Sequence, residues 1–152
     1  MVNRSDSFRL SDVLRDTPVR ALAAVSLGGV GGALARYGLT RAFPSAPDQF
    51  DLGIFLANAV GGFLIGVVMV VAVELKPGGA YLRPFVGVGF LGGFTSFSAY
   101  ILDIGAAVDS GERGLALLFA FVSLAVALSA AAGGMYLTRR WDERRSRRRT
   151  SC

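Results

Sequence analysis

Apolar residues along this chain gather into four runs, and polar or turn-forming residues fill the gaps between them. The runs cover Val19 to Phe43, Leu52 to Glu74, Pro84 to Val108 and Gly114 to Leu137. As a helix, each is long enough to cross a hydrocarbon layer of roughly 30 Å, which takes about 20 residues. The gaps hold Pro44-Ser-Ala-Pro47, Lys76-Pro-Gly-Gly79 and Asp109-Ser-Gly-Glu-Arg113. Gaps this short make consecutive helices antiparallel neighbours. The pattern predicts an all-α integral membrane protein with four transmembrane helices at 19–138. A polar tail at 1–18 precedes them and a basic tail at 139–152 follows. The first run is expected to stay as a span: a polar stretch of about 18 residues precedes it, and its apolar part exceeds a signal-peptide core.

The third run departs from simple hydrophobicity. Gly89-Phe-Leu-Gly-Gly-Phe-Thr-Ser-Phe-Ser-Ala-Tyr100 packs glycines, hydroxyls and rings into the middle of an apolar stretch. Lipid cannot solvate backbone polar groups, so this helix is expected to break near its middle, where protein or water surrounds it. Broken membrane helices supply freed N–H and C=O groups as ion or substrate ligands.

Composition agrees with a membrane protein, since 53% of residues are hydrophobic. The one cysteine is Cys152 and histidine is absent. That rules out an intrachain disulfide and removes the usual zinc ligands and Cys/His nucleophile chemistry. The dense cluster Arg139, Arg140, Arg144, Arg145, Arg147, Arg148 and Arg149 directly follows a span. It reads as an anchor to anionic lipid, with no nucleic-acid partner. Thirteen Lys and Arg lie on the side of the two tails and the second gap. Arg41, Arg113 and the helix-end Arg36 lie on the other. The positive-inside rule then puts both termini in the cytoplasm.

Few polar residues fall within the runs. Small pairs four apart (Gly28/Gly32, Gly62/Gly66, Gly89/Gly93, Ser129/Gly133) predict close helix packing. Asn58 is either interhelical glue or a pathway ligand, and depth alone leaves both readings open. Ser123 is the weaker candidate, because serine often bonds its own i−4 carbonyl. Arg36 is expected to snorkel to the interface, and Asp103 and Glu74 to be solvated near helix ends. No carboxylate near a helix centre disfavours proton-coupled antiport. Amides, hydroxyls and the positive edges of rings suit a small anion. Phe97 and Tyr100, three apart, place two rings on about one helix face.

Together these residues resemble the small bacterial fluoride-channel family, the Fluc or CrcB-type proteins. The resemblance runs from about Gly28 to Tyr136. It is carried by Gly28-Gly-Val-Gly-Gly-Ala-Leu-Ala-Arg-Tyr37, Asn58-Ala-Val-Gly-Gly-Phe-Leu-Ile-Gly66, the Gly89 to Tyr100 string and Ser123. It implies an antiparallel, dual-topology dimer of four-helix subunits in the bacterial plasma membrane. Such a dimer has two narrow fluoride pores, a structural sodium ion at its centre and no organic cofactor. By position, Gly92 and Thr95 offer backbone carbonyls to that sodium. Asn58, Phe97, Tyr100, Ser98 and Ser123 fall at the fluoride pore, and Arg36 at a vestibule or structural position.

The departures from that family pattern are Tyr100 for a usual Phe, Phe119 for a pore tyrosine, Ala127 for a second hydroxyl and Ile54 for a threonine. Members that pair with themselves must insert both ways, whereas this chain's charge bias fixes one orientation. The implied function is passive fluoride export, with this chain as one half of a heterodimeric channel. The alternatives are a non-conducting partner subunit and a small four-helix exporter of cationic compounds. No enzyme activity is expected.

Overall fold

The computed structural model describes residues 19–46, 49–75 and 83–150. The polar tail at 1–18, the Lys76-Pro-Gly-Gly79 gap and Cys152 lie outside them. All regular structure among the described residues is helical. Helix α1 spans Val19–Ala42 and α2 spans Leu52–Met69, the latter continuing into a π-wound segment, Val70–Leu75. A second π-wound segment, Arg83–Phe90, leads into α3, Leu91–Phe94; α4 is Phe97–Asp109 and α5 is Arg113–Thr150. Four stretches are long and apolar enough to cross a membrane: Val19–Ala42, Leu52–Leu75, Arg83–Asp109 and Arg113–Arg147. Their starts and ends follow the hydrophobic runs, except at the C-terminal end of the fourth.

Local chemistry explains the boundaries. Asp51 caps α2, its Oδ1 accepting from the Ile54 N–H at 2.9 Å, which satisfies one of the orphan donors of the first turn. Between α4 and α5 the chain reverses through Gly111 at φ 87°. That conformation favours glycine, and it lets the Glu112 N–H reach back to the Ala107 carbonyl at 2.9 Å. The fourth hydrophobic run ends at Leu137, but α5 continues to Thr150. After Gly134 it meets neither Gly nor Pro. Its arginines are good helix formers, and cations suit a helix C-terminus.

Packing depends on the small residues. Helix α1 lies on the third span: a β-carbon at Gly32 would stand 2.8 Å from the Phe94 nitrogen. Helix α2 lies on α5 in the same way, and a β-carbon at Gly62 would stand 2.6 Å from the Ala127 carbonyl oxygen. The Ser129/Gly133 pair does not pack: Ser129 is exposed and nothing lies near Gly133. The neighbouring Gly134 takes that role against Phe63. The helix rotates by about 100° per residue, so one position decides which glycine faces inward.

Little of the chain is hidden from its surroundings. Only 11% to 28% of the most apolar window of each span is buried, and Leu34, Leu117, Phe121 and Leu128 are exposed. Such a surface fits lipid or another membrane helix. At one end Arg139 Nη2 meets Glu74 Oε1 at 2.6 Å and ties the second span to α5.

Candidate functional site

The third span changes course at two residues. Thr95 (φ −82°, ψ 154°) and Ser96 (φ −148°, ψ 111°) are extended, between the end of α3 and the start of α4. Ordinary helical hydrogen bonding fails here, so each freed group has to find another partner. The Thr95 N–H and hydroxyl both donate to the Leu91 carbonyl, at 3.0 and 2.9 Å. The Ser96 N–H, which would serve the Gly92 carbonyl in a continuous helix, donates instead to Asn58 Oδ1 at 2.9 Å. The Ala99 N–H, which would serve the Thr95 carbonyl, donates to Ser96 Oγ at 3.1 Å. The carbonyls of Gly92 and Thr95 have therefore lost their helical donors. Gly92 is also exposed, with nothing near its Cα on the side-chain side. Two freed carbonyl oxygens are hard ligands of the kind that hard cations take.

Asn58 reaches the break from α2. Its Nδ2 donates to the Ser96 carbonyl at 3.3 Å while its Oδ1 accepts from the Ser96 N–H. Of the two readings open for this amide, glue is the one realised within the chain, and one Nδ2 hydrogen remains. Arg36 spends one guanidinium N–H on the third span. Its Nε donates to the Gly93 carbonyl at 3.1 Å, because the break leaves that acceptor without its helical N–H.

A cavity of about 410 Å³ opens beside the break. Asn58, Gly92, Thr95, Phe97, Tyr100 and Ser123 all line it, with Ile65, Leu124, Ala127 and Leu128 among its apolar walls. Ser98 and Arg36 are not among its lining residues; Ser98 Oγ lies 3.2 Å from Ser96 Oγ. Ser123 is 4% exposed, and its buried hydroxyl oxygen has no partner. The bond to its own i−4 carbonyl that serine often makes is absent here. A buried hydroxyl without a partner is costly.

Rings line one side of the cavity. Phe97 and Tyr100 have centroids 5.6 Å apart, and Tyr100 stacks on Phe119 at 5.7 Å. Phe119 in turn meets Phe50 edge-on at 4.7 Å. The Tyr100 hydroxyl donates to the Ala120 carbonyl at 2.7 Å, so its hydrogen is already committed within the chain. Phe50 and Phe119 stand outside the cavity lining, and Phe50 lies in a gap between hydrophobic runs, where sequence carries no signal for this contact. Asp103 also differs from expectation. It is not fully solvated: its Oδ2 is buried without a partner. The site thus combines one unpartnered hydroxyl, one amide hydrogen, two aromatic rings and two freed carbonyls in an apolar surround.

The family model described as CrcB-like protein, Camphor Resistance (CrcB), matches residues 23–135. The chain belongs to the CrcB-like family. Among individual relatives, it is 48% identical over 115 residues to Fluoride-specific ion channel FluC 2 of Thermobifida fusca. That alignment covers 74% of this chain and 85% of the relative. It is 40% identical over 126 residues to Fluoride-specific ion channel FluC 3 of Streptomyces avermitilis, covering 83% of this chain but 62% of that relative's length. It is 39% identical over 120 residues to Fluoride-specific ion channel FluC of Francisella tularensis subsp. mediasiatica, covering 76% and 92%. The matched region of the CrcB-like model takes in every residue of the cavity.

Proposed function

We propose that this CrcB-like chain is a subunit of a fluoride-selective channel. It would let fluoride leave the cytoplasm passively across a bacterial inner membrane, as transport and not enzyme catalysis. The observation that carries this reading is the buried, unpartnered Ser123 hydroxyl in a cavity shared with Asn58, Phe97 and Tyr100. A small, strongly hydrated anion can trade water for that hydroxyl, the remaining amide hydrogen and the ring edges. The apolar walls exclude a larger hydrated ion. The names of the relatives point to the same ion.

In this reading a sodium ion sits at the break. Gly92 and Thr95 would hold it through backbone carbonyls, and the ion would supply positive charge that stabilises the opened backbone. Two ligands from one chain leave a hard cation under-coordinated, which favours a second subunit supplying its own pair. The open face around Gly92 suits such a partner. An antiparallel dimer is the arrangement we favour, with this chain's termini in the cytoplasm as the arginine bias implies. The polar 1–18 tail, the 19–138 channel domain and the basic 139–152 tail remain the domain division we propose.

A second reading has its own support. The Tyr100 hydroxyl is committed to Ala120, most of the Asn58 amide to Ser96, and Ala127 and Ile54 bring no hydroxyl. This chain would then complete a partner's pore without conducting along its own walls. Fluoride efflux from liposomes decides between them, measured with the chain alone and with a CrcB-like partner of opposite charge bias. Fluoride flux without chloride flux supports the channel. Equal chloride flux removes it, and flux that survives loss of Ser123 and Phe97 assigns conduction to the partner.

A further inference from the structure

Where α5 leaves its apolar stretch, a groove of about 590 Å³ runs between it and the second span. Val67, Val71 and Leu137 line it, as do Tyr136, Trp141, Arg140 and Arg144. Positions 136, 140 and 144 recur every four residues and share one helix face. The Arg140 guanidinium lies over the Tyr136 ring, 5.0 Å from its centroid, which holds the cation against the groove wall. Arg139 is paired with Glu74. Arg144 makes neither hydrogen bond nor ion pair among the described residues. The groove therefore sets aliphatic side chains on its membrane side beneath two cations and a tryptophan, at the level where aromatic residues mark the interface.

We propose that this groove binds an anionic phospholipid, with its phosphate between Arg140 and Arg144 and an acyl chain along Val67, Val71 and Leu137. The charge pattern selects this occupant. A soluble anion would leave the aliphatic wall wet. A zwitterionic lipid would bring its own cation against the two arginines. A second copy of this face would oppose arginine to arginine. The site is distinct from the cavity at the helix break and shares no lining residue with it.

Trp141 is the chain's one tryptophan, so its fluorescence reports on the groove directly. The purified full chain in detergent micelles is titrated with phosphatidylglycerol carrying brominated acyl chains, and separately with brominated phosphatidylcholine. Quenching is expected at about a fivefold to 30-fold lower mole fraction for phosphatidylglycerol, at roughly fivefold per arginine. The R140Q/R144Q variant is expected to bring the two curves together, while R140K/R144K keeps the preference. R83Q/R147Q, which removes the same charge outside the groove, also keeps it. Equal quenching by both lipids in the unmodified chain overturns the proposal, as does a preference that survives R140Q/R144Q. Relief of phosphatidylglycerol quenching by inorganic phosphate assigns the arginines to a soluble anion and overturns it too.

Discussion

Asn58 holds both backbone polar groups of Ser96, accepting from its N–H and donating to its carbonyl. The side-chain amide thus substitutes for the helical turn that the third span gives up. Asn58→Ala leaves both groups of Ser96 unpaired, at a cost of about 1–3 kcal/mol for two ordinary hydrogen bonds. Asn58→Asp keeps the acceptor but loses the donor and adds a negative charge beside an anion path. Both variants are expected to lower the melting temperature in detergent and to reduce fluoride efflux, Asn58→Asp more strongly. An unchanged melting temperature in Asn58→Ala would show that the break does not depend on this clamp.

Ser123 is expected to behave in the opposite way. Its buried hydroxyl bonds to nothing in the chain, so Ser123→Ala relieves an unsatisfied group. Stability should stay equal or rise by up to about 1 kcal/mol, while fluoride efflux falls. Thermal unfolding and liposome flux on one preparation check both. A stability loss without a flux change would make the residue structural.

The helix contacts yield a paired test. Gly32→Ala drives a methyl into the backbone of the third span and should cost about 1–3 kcal/mol or more, since backbone cannot give way cheaply. Gly133→Ala meets open space and should gain about 0.5–1 kcal/mol from helix propensity. Melting temperatures moving in opposite directions confirm the packing; equal shifts would refute it.

A reporter fused after Cys152 is expected to read cytoplasmic in essentially every molecule. Replacing several of Arg139 to Arg149 together with Arg4, Arg9 and Arg15 should let some copies invert, since each charge contributes only on the order of 1 kcal/mol. The unmodified chain alone should then be a poor fluoride channel. Robust flux from the chain purified alone, as an antiparallel homodimer, would overturn the fixed orientation.

The four spans are legible in the sequence because each long apolar run can satisfy its backbone in lipid only as a helix. Of the residues the sequence singles out, Asn58, Gly92, Thr95, Phe97, Tyr100 and Ser123 line one cavity, whereas Ser98 and Arg36 do not. Glycines, amides and hydroxyls inside such a run are tolerated mainly where the backbone opens onto protein or water. How the polar groups share partners is not written in the pattern. Arg36 has the position of an interfacial arginine, but its Nε finds the Gly93 carbonyl, an acceptor that exists only because the helix breaks just beyond it. The π winding at Val70–Leu75 and Arg83–Phe90 leaves the hydrophobic pattern unchanged. Hydropathy also cannot see α5 beyond Leu137, because arginine-rich sequence is helix-forming without being apolar.

That long fourth helix turns the basic end into a ruler. At 1.5 Å per residue, Arg140 and Arg144 stand about 5 and 10 Å beyond Leu137, and Thr150 about 20 Å. The headgroup layer is only about 5–8 Å deep on each side, and charge is screened over about 8 Å at physiological salt. The first arginines therefore act within reach of lipid phosphates, while the helix backbone runs on past the headgroups as a post of positively charged sequence. A negatively charged ion or protein approaching this face of the membrane meets that post before it meets the bilayer.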